Sequence, residues 1–282
     1  MIRRTATLLF VLAFFAGPTL LANPARAAEM AQVPSPNGTM ITEIYKPVGK
    51  GPFPVVVFSH GRSGEASERA SLSHPVNPVA VSYWTARGYA VVAPIRPGYG
   101  ATGGADREEN YSSHCTRHAD FANTASGAAT AIVAAVDWVR QQPWAKSDRI
   151  ILVGQSVGGL GTVAAAARHP AGVVAFVNFA GGSGGFPTEW PGKSCQPEVL
   201  TSLYGQFGAS TSLPGIWFYA ANDEYWGADA PKEWARAYRA GNPRMTAVFT
   251  GPTPNGKGHS LGSSAPQLWK PALEQFLKGR GL

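Results

Sequence analysis

The sequence predicts an α/β fold built on a mostly parallel central sheet with helices on both faces. From residue 53 onward, short apolar runs alternate with longer segments of helical period. Those runs are nearly unbroken, as in strands covered on both sides. In residues 149–168 (RIILVGQSVGGLGTVAAAAR) an apolar run, a serine between glycines and an alanine-rich run follow without a gap. That order reads as strand, turn and helix.

Arg3 and Arg4 precede an apolar run at 8–16, and Ala25 and Ala27 place small residues where a signal peptidase cuts. Residues 1–27 therefore read as a secretory signal peptide and 28–282 as a single α/β domain, with room for a sizeable core but not for two typical domains. No later stretch reaches 18 consecutive apolar residues, so the expectation is an exported protein, periplasmic or secreted, without stable membrane insertion. The net charge of +7 drops to +4 once Arg3, Arg4 and Arg26 leave. With 15% charged residues and no dense basic cluster, nucleic-acid binding has little support.

After a polar, proline-containing lead at 33–38, residues 40–48 form a first strand with rough alternation, and 49–52 a turn. Residues 53–59 (FPVVVFS) are a buried strand. A helix at 77–87, closed by Gly88, leads to a strand at 89–95. Residues 96–120 show neither period, and a stretch of that length inside a compact domain usually carries function or is disordered. A helix at 121–142 buries Ala128, Ile132, Ala135, Val136 and Val139 and stops at Pro143. The unit at 150–167 follows, then a strand at 172–179, a second irregular stretch at 181–196 and a short helix at 198–207. Strands at 214–219 and 245–250 and helices at 231–240 and 266–277 complete the chain.

Three Gly-x-Ser-x-Gly matches occur where composition predicts about 0.3 by chance. GGSGG at 181–185 runs into Phe186-Pro187, where no helix starts, and GHSLG at 258–262 lacks a strand immediately before it. Only Ser156, in GQSVG, has strand before and helix after, the setting that strains a nucleophilic serine and exposes its hydroxyl. A serine needs a base to take its proton and a carboxylate to orient that base. In a wound sheet such groups collect beyond the carboxyl ends of the strands. Asp223 follows the strand at 214–219, and His259 lies between the last strand and the terminal helix. These are the expected acid and base, with Glu224 the rival carboxylate. His60 ends a strand and braces its loop, His169 caps a helix, and His74 is an ordinary loop residue.

The oxyanion of a tetrahedral intermediate needs two donors. The amide of Val157, at a helix start, is one. The other is expected from the loop after 53–59, from Arg62 first and Gly61 second. Tyr99, Tyr111, Trp190, Tyr225 and Trp226 fall in loops near the cleft and are candidate pocket residues. Cys115 and Cys195 are the two cysteines of an exported chain and form the expected disulfide. His114 and His118 bracket Cys115 at a spacing that fits no zinc site, so they are assigned to the cleft border or to solvent. No metal and no cofactor are expected.

The segments HGRSG, GQSVGG, NDEYW and GKGHS, in that order, resemble the dienelactone hydrolase family of α/β hydrolases over residues 41–282. The resemblance implies the α/β-hydrolase fold without a large cap, no cofactor, and a triad of Ser156, Asp223 and His259. Dienelactone hydrolases proper carry cysteine at the elbow; Ser156 stands there in this chain, which removes the case for dienelactone itself. The expected activity is hydrolysis of a small carboxylic ester through an acyl-enzyme. Acyl transfer or amide cleavage at the same site, and a binding protein that lost the chemistry, are the alternatives.

Overall fold

The computed structural model describes residues 28–282. The leader expected at 1–27 lies outside them. One eight-stranded sheet organises these residues, in the order β1-β2-β4-β3-β5-β6-β7-β8. In chain order the strands are β1 (Glu29–Val33), β2 (Met40–Tyr45), β3 (Phe53–Ser59), β4 (Ala90–Pro94), β5 (Ala145–Gln155), β6 (Val173–Phe179), β7 (Gly215–Ala220) and β8 (Met245–Thr250). Strand β2 pairs antiparallel with β1 and β4, and every ladder from β4 to β8 is parallel.

The apolar runs are unbroken because each strand feeds two cores. Val55 and Val57, Ile150 and Leu152, and Trp217 and Tyr219 face one side. There they meet α3 (Phe121–Val139), α4 (Val157–Ala166), α5 (Pro197–Ser210) and α6 (Ala230–Gly241). Val56 and Phe58, Ile151 and Val153, and Ile216 and Phe218 face the other side, against α2 (Pro78–Thr85) and α8 (Pro266–Lys278). Helices α3 and α4 approach so closely that a Cβ on Gly161 would stand 2.4 Å from the Cβ of Ala128. Small residues in that helix are therefore a packing requirement.

The sheet reverses its winding between β3 and β5. From β3 the chain passes to β4 on one flank, then crosses through α3 to β5 on the other. Ser59 and Gly154 are register partners at the carboxyl ends of these two strands. A crevice opens there by geometry alone.

Four elements differ from the sequence reading. Strand β1 lies ahead of the polar lead and meets it at Val33; only Val33 of it is buried, so no apolar run marks it. Strand β5 begins at Ala145, five residues before its apolar run, and its pairing with β3 shifts register between Phe53 and Val55. Two short helices, α1 (Ala66–Ala70), without a buried residue, and α7 (Leu261–Ser264), are too short to show a period. The stretch 96–120 contains only a 3₁₀ turn, Gly100–Thr102, and 181–196 has neither helix nor strand.

Candidate active site

Ser156 sits between the last residue of β5 and the first of α4, with φ 57° and ψ −128°. A non-glycine residue at positive φ is strained, and surrounding bonds hold it there. Its N–H donates to Phe179 O at 3.0 Å, and its carbonyl accepts from Leu160 N at 3.0 Å and Gly182 N at 3.2 Å. The flanking glycines are needed for close approach. A Cβ on Gly154 would lie 2.2 Å from Gly158 O, and one on Gly158 would lie 2.2 Å from the carbonyl oxygens of both Ser59 and His60. A serine before a helix ordinarily caps it. The Ser156 hydroxyl does not, and so remains available to the cleft.

The turn after β7 carries Asp223, and the 3₁₀ turn Gly258–Ser260 carries His259. His259 Nδ1 lies 3.1 Å and 3.2 Å from the two carboxylate oxygens of Asp223. Asp223 Oδ1 also accepts from the amides of Tyr225 at 2.9 Å and Trp226 at 3.1 Å. The carboxylate is thereby held by its own turn, with its side chain fully buried. Glu224 does something else: its Oε2 accepts from the main-chain N–H of His259 at 3.0 Å, which braces the loop. The imidazole packs against Tyr225, ring centres 4.1 Å apart, and edge-on to Trp226 at 5.2 Å. Gln155, beside Ser156, donates from Nε2 to His259 O at 3.2 Å and ties this loop to the elbow. The His259 ring hydrogen-bonds to Asp223 alone among the described residues, and no Ser156–His259 hydrogen bond is formed.

The loop after β3 reaches the elbow from the other side. A Cβ on Gly61 would be 3.3 Å from Ser156 Cβ and 3.8 Å from its Oγ. The amides of Arg62 and Val157 make no main-chain hydrogen bond outside helices and strands, so both expected oxyanion donors are unengaged. The side chain of Arg62 turns to Asp106 at 2.5 Å and Glu109 at 3.2 Å.

His60 braces this loop, as the sequence suggests. Arg96 N–H donates to its Nε2 at 3.1 Å, so the ring proton is on Nδ1, which donates to Gly61 O at 2.7 Å. Burial first, and the Arg96 charge second, lower its pKa well below the usual histidine value. Arg96 is wholly buried and bonded to Glu108, itself 1% exposed. Burial opposes the Arg96 charge, but Glu108 beside it raises the pKa on balance. Sequence reasoning missed this pair, since nothing in an aperiodic stretch marks a buried ion pair.

Ser156 and Val157 open onto a cleft of about 340 Å³ that is also lined by Arg62. Tyr111, Tyr225 and Trp226 line it as expected, joined by Phe186 and Arg117. Two expected pocket residues lie elsewhere. Tyr99 is 2% exposed and donates to Glu108 Oε2 at 2.6 Å, so it is part of the ion-pair core behind the loop. Trp190 is 40% exposed and packs edge-on to Phe186 at 6.3 Å, outside the cleft. Its aromatic character suggested a pocket residue, but from this stretch the cleft is lined by residues 183–186 and not by Trp190. Ser183 of the GGSGG segment does line the cleft; no helix follows it, and its Oγ accepts from Asn110 Nδ2 at 3.3 Å.

The two irregular stretches form the cleft walls and are stitched together. Cys115 and Cys195 form a disulfide, Cα atoms 5.3 Å apart. Gln196 adds two bonds, accepting from Ala119 N at 3.2 Å and donating to Arg117 O at 2.8 Å. His114 borders the cleft, stacked on Phe186 and bonded to Glu189 at 2.8 Å, while His118 is exposed.

Residues 38–234 match the family model of the X-Pro dipeptidyl-peptidases (S15 family). The chain belongs to that family. The matched span includes Ser156 and Asp223 and ends before His259. No curated protein matches the chain in sequence. Among solved structures, an esterase of Pyrococcus furiosus is 13% identical with a TM-score of 0.63, over 94% of each chain. A Klebsiella pneumoniae protein named for dienelactone hydrolase is 17% identical with a TM-score of 0.56, over 89% of this chain and 96% of that one. An acylaminoacyl peptidase of Pyrococcus horikoshii is 15% identical with a TM-score of 0.63, over 95% of this chain and 44% of that one. These likenesses show the α/β-hydrolase fold. The family is one of hydrolases; the dienelactone hydrolase family expected from the sequence is represented by a neighbour that shares the fold at 17% identity, which shows no membership of it.

Proposed function

We propose that the chain is a serine hydrolase that cleaves a small carboxylic ester through an acyl-enzyme. Ser156 Oγ attacks the carbonyl, His259 Nε2 takes its proton and returns it to the leaving alcohol, and Asp223 holds the imidazole with Nδ1 protonated. The amides of Val157 and Arg62 receive the oxyanion, Val157 with the positive end of α4 behind it. The observation that carries the reading is the buried Asp223–His259 pair beside an elbow serine whose hydroxyl is kept out of helix capping. The missing Ser156–His259 bond is compatible with it, since such bonds are often long before substrate binds.

Cleavage of an amide or peptide bond by the same residues is the second reading, favoured by the family of the matched model. The acyl-enzyme is common to both, so the leaving group decides. Comparing kcat/KM on matched p-nitrophenyl ester and p-nitroanilide substrates separates them; a ratio favouring the anilide replaces the ester reading. Ser156→Ala is expected to lower turnover by about 10⁶ and to abolish labelling by a fluorophosphonate. Near-normal turnover in that variant refutes both readings. We also infer export, on the leader at 1–27 and on a disulfide suited to an oxidising compartment.

A further inference from the structure

Behind the loop that carries the Arg62 amide lies a charged group that does not itself line the cleft. Arg96 is fully buried and spends its guanidinium on four partners at once. Nη1 donates to Ser59 Oγ at 2.9 Å and His60 O at 2.6 Å. Nη2 donates to Gly61 O at 3.4 Å and Glu108 Oε2 at 2.9 Å, and Nε donates to Glu108 Oε1. Glu108 is held in turn by Tyr99.

A peptide group is planar and trans, so its C=O and the following N–H point in opposite directions. Gly61 O and the Arg62 N–H belong to one such plane. Gly61 O is gripped from behind by His60 Nδ1 and Arg96 Nη2, which sets the direction of the Arg62 N–H in front. The preceding plane is fixed the same way, through His60 O. An oxyanion donor works only if it is aimed before charge develops, and a small tilt of the plane spoils that aim.

We propose that the Arg96–Glu108 ion pair is a positioning device that aims the oxyanion amide of Arg62 by holding the carbonyls on the far side of its loop. The inference rests on the proposed function above, and it makes Arg96, Glu108 and Tyr99 determinants of transition-state binding rather than of substrate binding. Glu108 is also next to Glu109, a cleft-wall residue. One pair thus joins the wall of the cleft to the donor loop.

Arg96→Lys keeps a cation opposite Glu108 but lacks the planar fork that reaches all four partners. Tyr99→Phe is the milder companion, removing one hydroxyl and no charge. For each, kcat and KM on a p-nitrophenyl ester are measured with the inhibition constant of an alkyl boronic acid, which forms a tetrahedral adduct on Ser156. Arg96→Lys is expected to lower kcat by about 10- to 100-fold with KM within about threefold. Boronate affinity falls by the same factor as kcat/KM. Tyr99→Phe lies between this variant and wild type and serves as the test if Arg96→Lys does not fold. Folded variants with wild-type boronate affinity overturn the inference, as does an equal loss of kcat/KM and of affinity for the acid product. Wild-type protein with no Ser156-dependent turnover or boronate binding overturns the underlying reading instead, and this one with it.

Discussion

Replacing both Cys115 and Cys195 by alanine tests how the cleft walls are held. The bridge spans a sequence separation of 80 residues. By loop entropy, closing a loop of that length stabilises the folded state by about 4.5 kcal/mol. Cys195 is 4% exposed and packs in the main core, so loss of its sulfur leaves a small void costing about 1 kcal/mol. The Gln196 bonds to Ala119 and Arg117 and the Asn110–Ser183 bond stay in place with or without the bridge, so they keep the two walls in contact. A combined loss of about 5.5 kcal/mol, over an unfolding entropy of roughly 2.1 cal/mol/K per residue, lowers Tm by about 10 °C. Calorimetry of wild type, wild type with reductant and the double variant is the assay. Reduced wild type should melt about 8 °C below the oxidised protein and the double variant about 2 °C lower still, and KM should rise more than kcat falls, because the bridge joins walls rather than catalytic groups. A double variant melting within about 2 °C of wild type, or two titratable thiols in the unreduced wild type, would sink the reasoning.

Asp223→Asn is expected to cut kcat by about 10⁴, since an amide leaves the imidazole in the wrong tautomer; Glu224→Gln, which touches only the His259 main chain, should cost less than tenfold, and steady-state kinetics on one ester distinguishes the two. Gly158→Ala places a methyl 2.2 Å from two carbonyl oxygens of the oxyanion loop, so it should unfold or inactivate the protein, whereas Gly64→Ala meets nothing within 4 Å and should leave Tm unchanged. His60 is buried neutral with its pKa lowered. Below its unfolded value of about 6.5, the unfolded state binds a proton that the folded state does not. Stability attributable to His60 is therefore full above that pH and declines as pH falls, by up to about 1.4 kcal/mol per unit. Urea melts between pH 7 and pH 5 should show this acid slope in wild type and not in His60→Asn.

The strand runs were legible because a parallel sheet covered on both faces demands unbroken apolar stretches, and 53–59, 172–179 and 245–250 coincide with strands or miss by one residue. The edge strand β1 was not legible, as it buries one residue and is set by pairing with β2. Ser156, Asp223 and His259 could be named from their places after strands, and the pairing of Asp223 rather than Glu224 with the imidazole follows from the turn that aims Asp223 inward. Tyr99 and Trp190 were misplaced for one reason: in an aperiodic stretch, residue type does not reveal side-chain direction.

Read alone, the sequence determined the fold class and the elbow turn and offered Ser156, Asp223 and His259 as candidates, since local period and chain order are written in neighbouring residues. Tertiary structure alone decided what the stretches 96–120 and 181–196 do. Tyr111, Ser113, His114 and Cys115 adopt positive φ there, a conformation local preference disfavours and long-range contacts hold. The burial of Arg96 against Glu108, and its grip on the loop after β3, arise from contacts between residues 12 to 37 positions apart. No local pattern encodes such contacts, because their stability depends on water being excluded by the whole sheet and its helices.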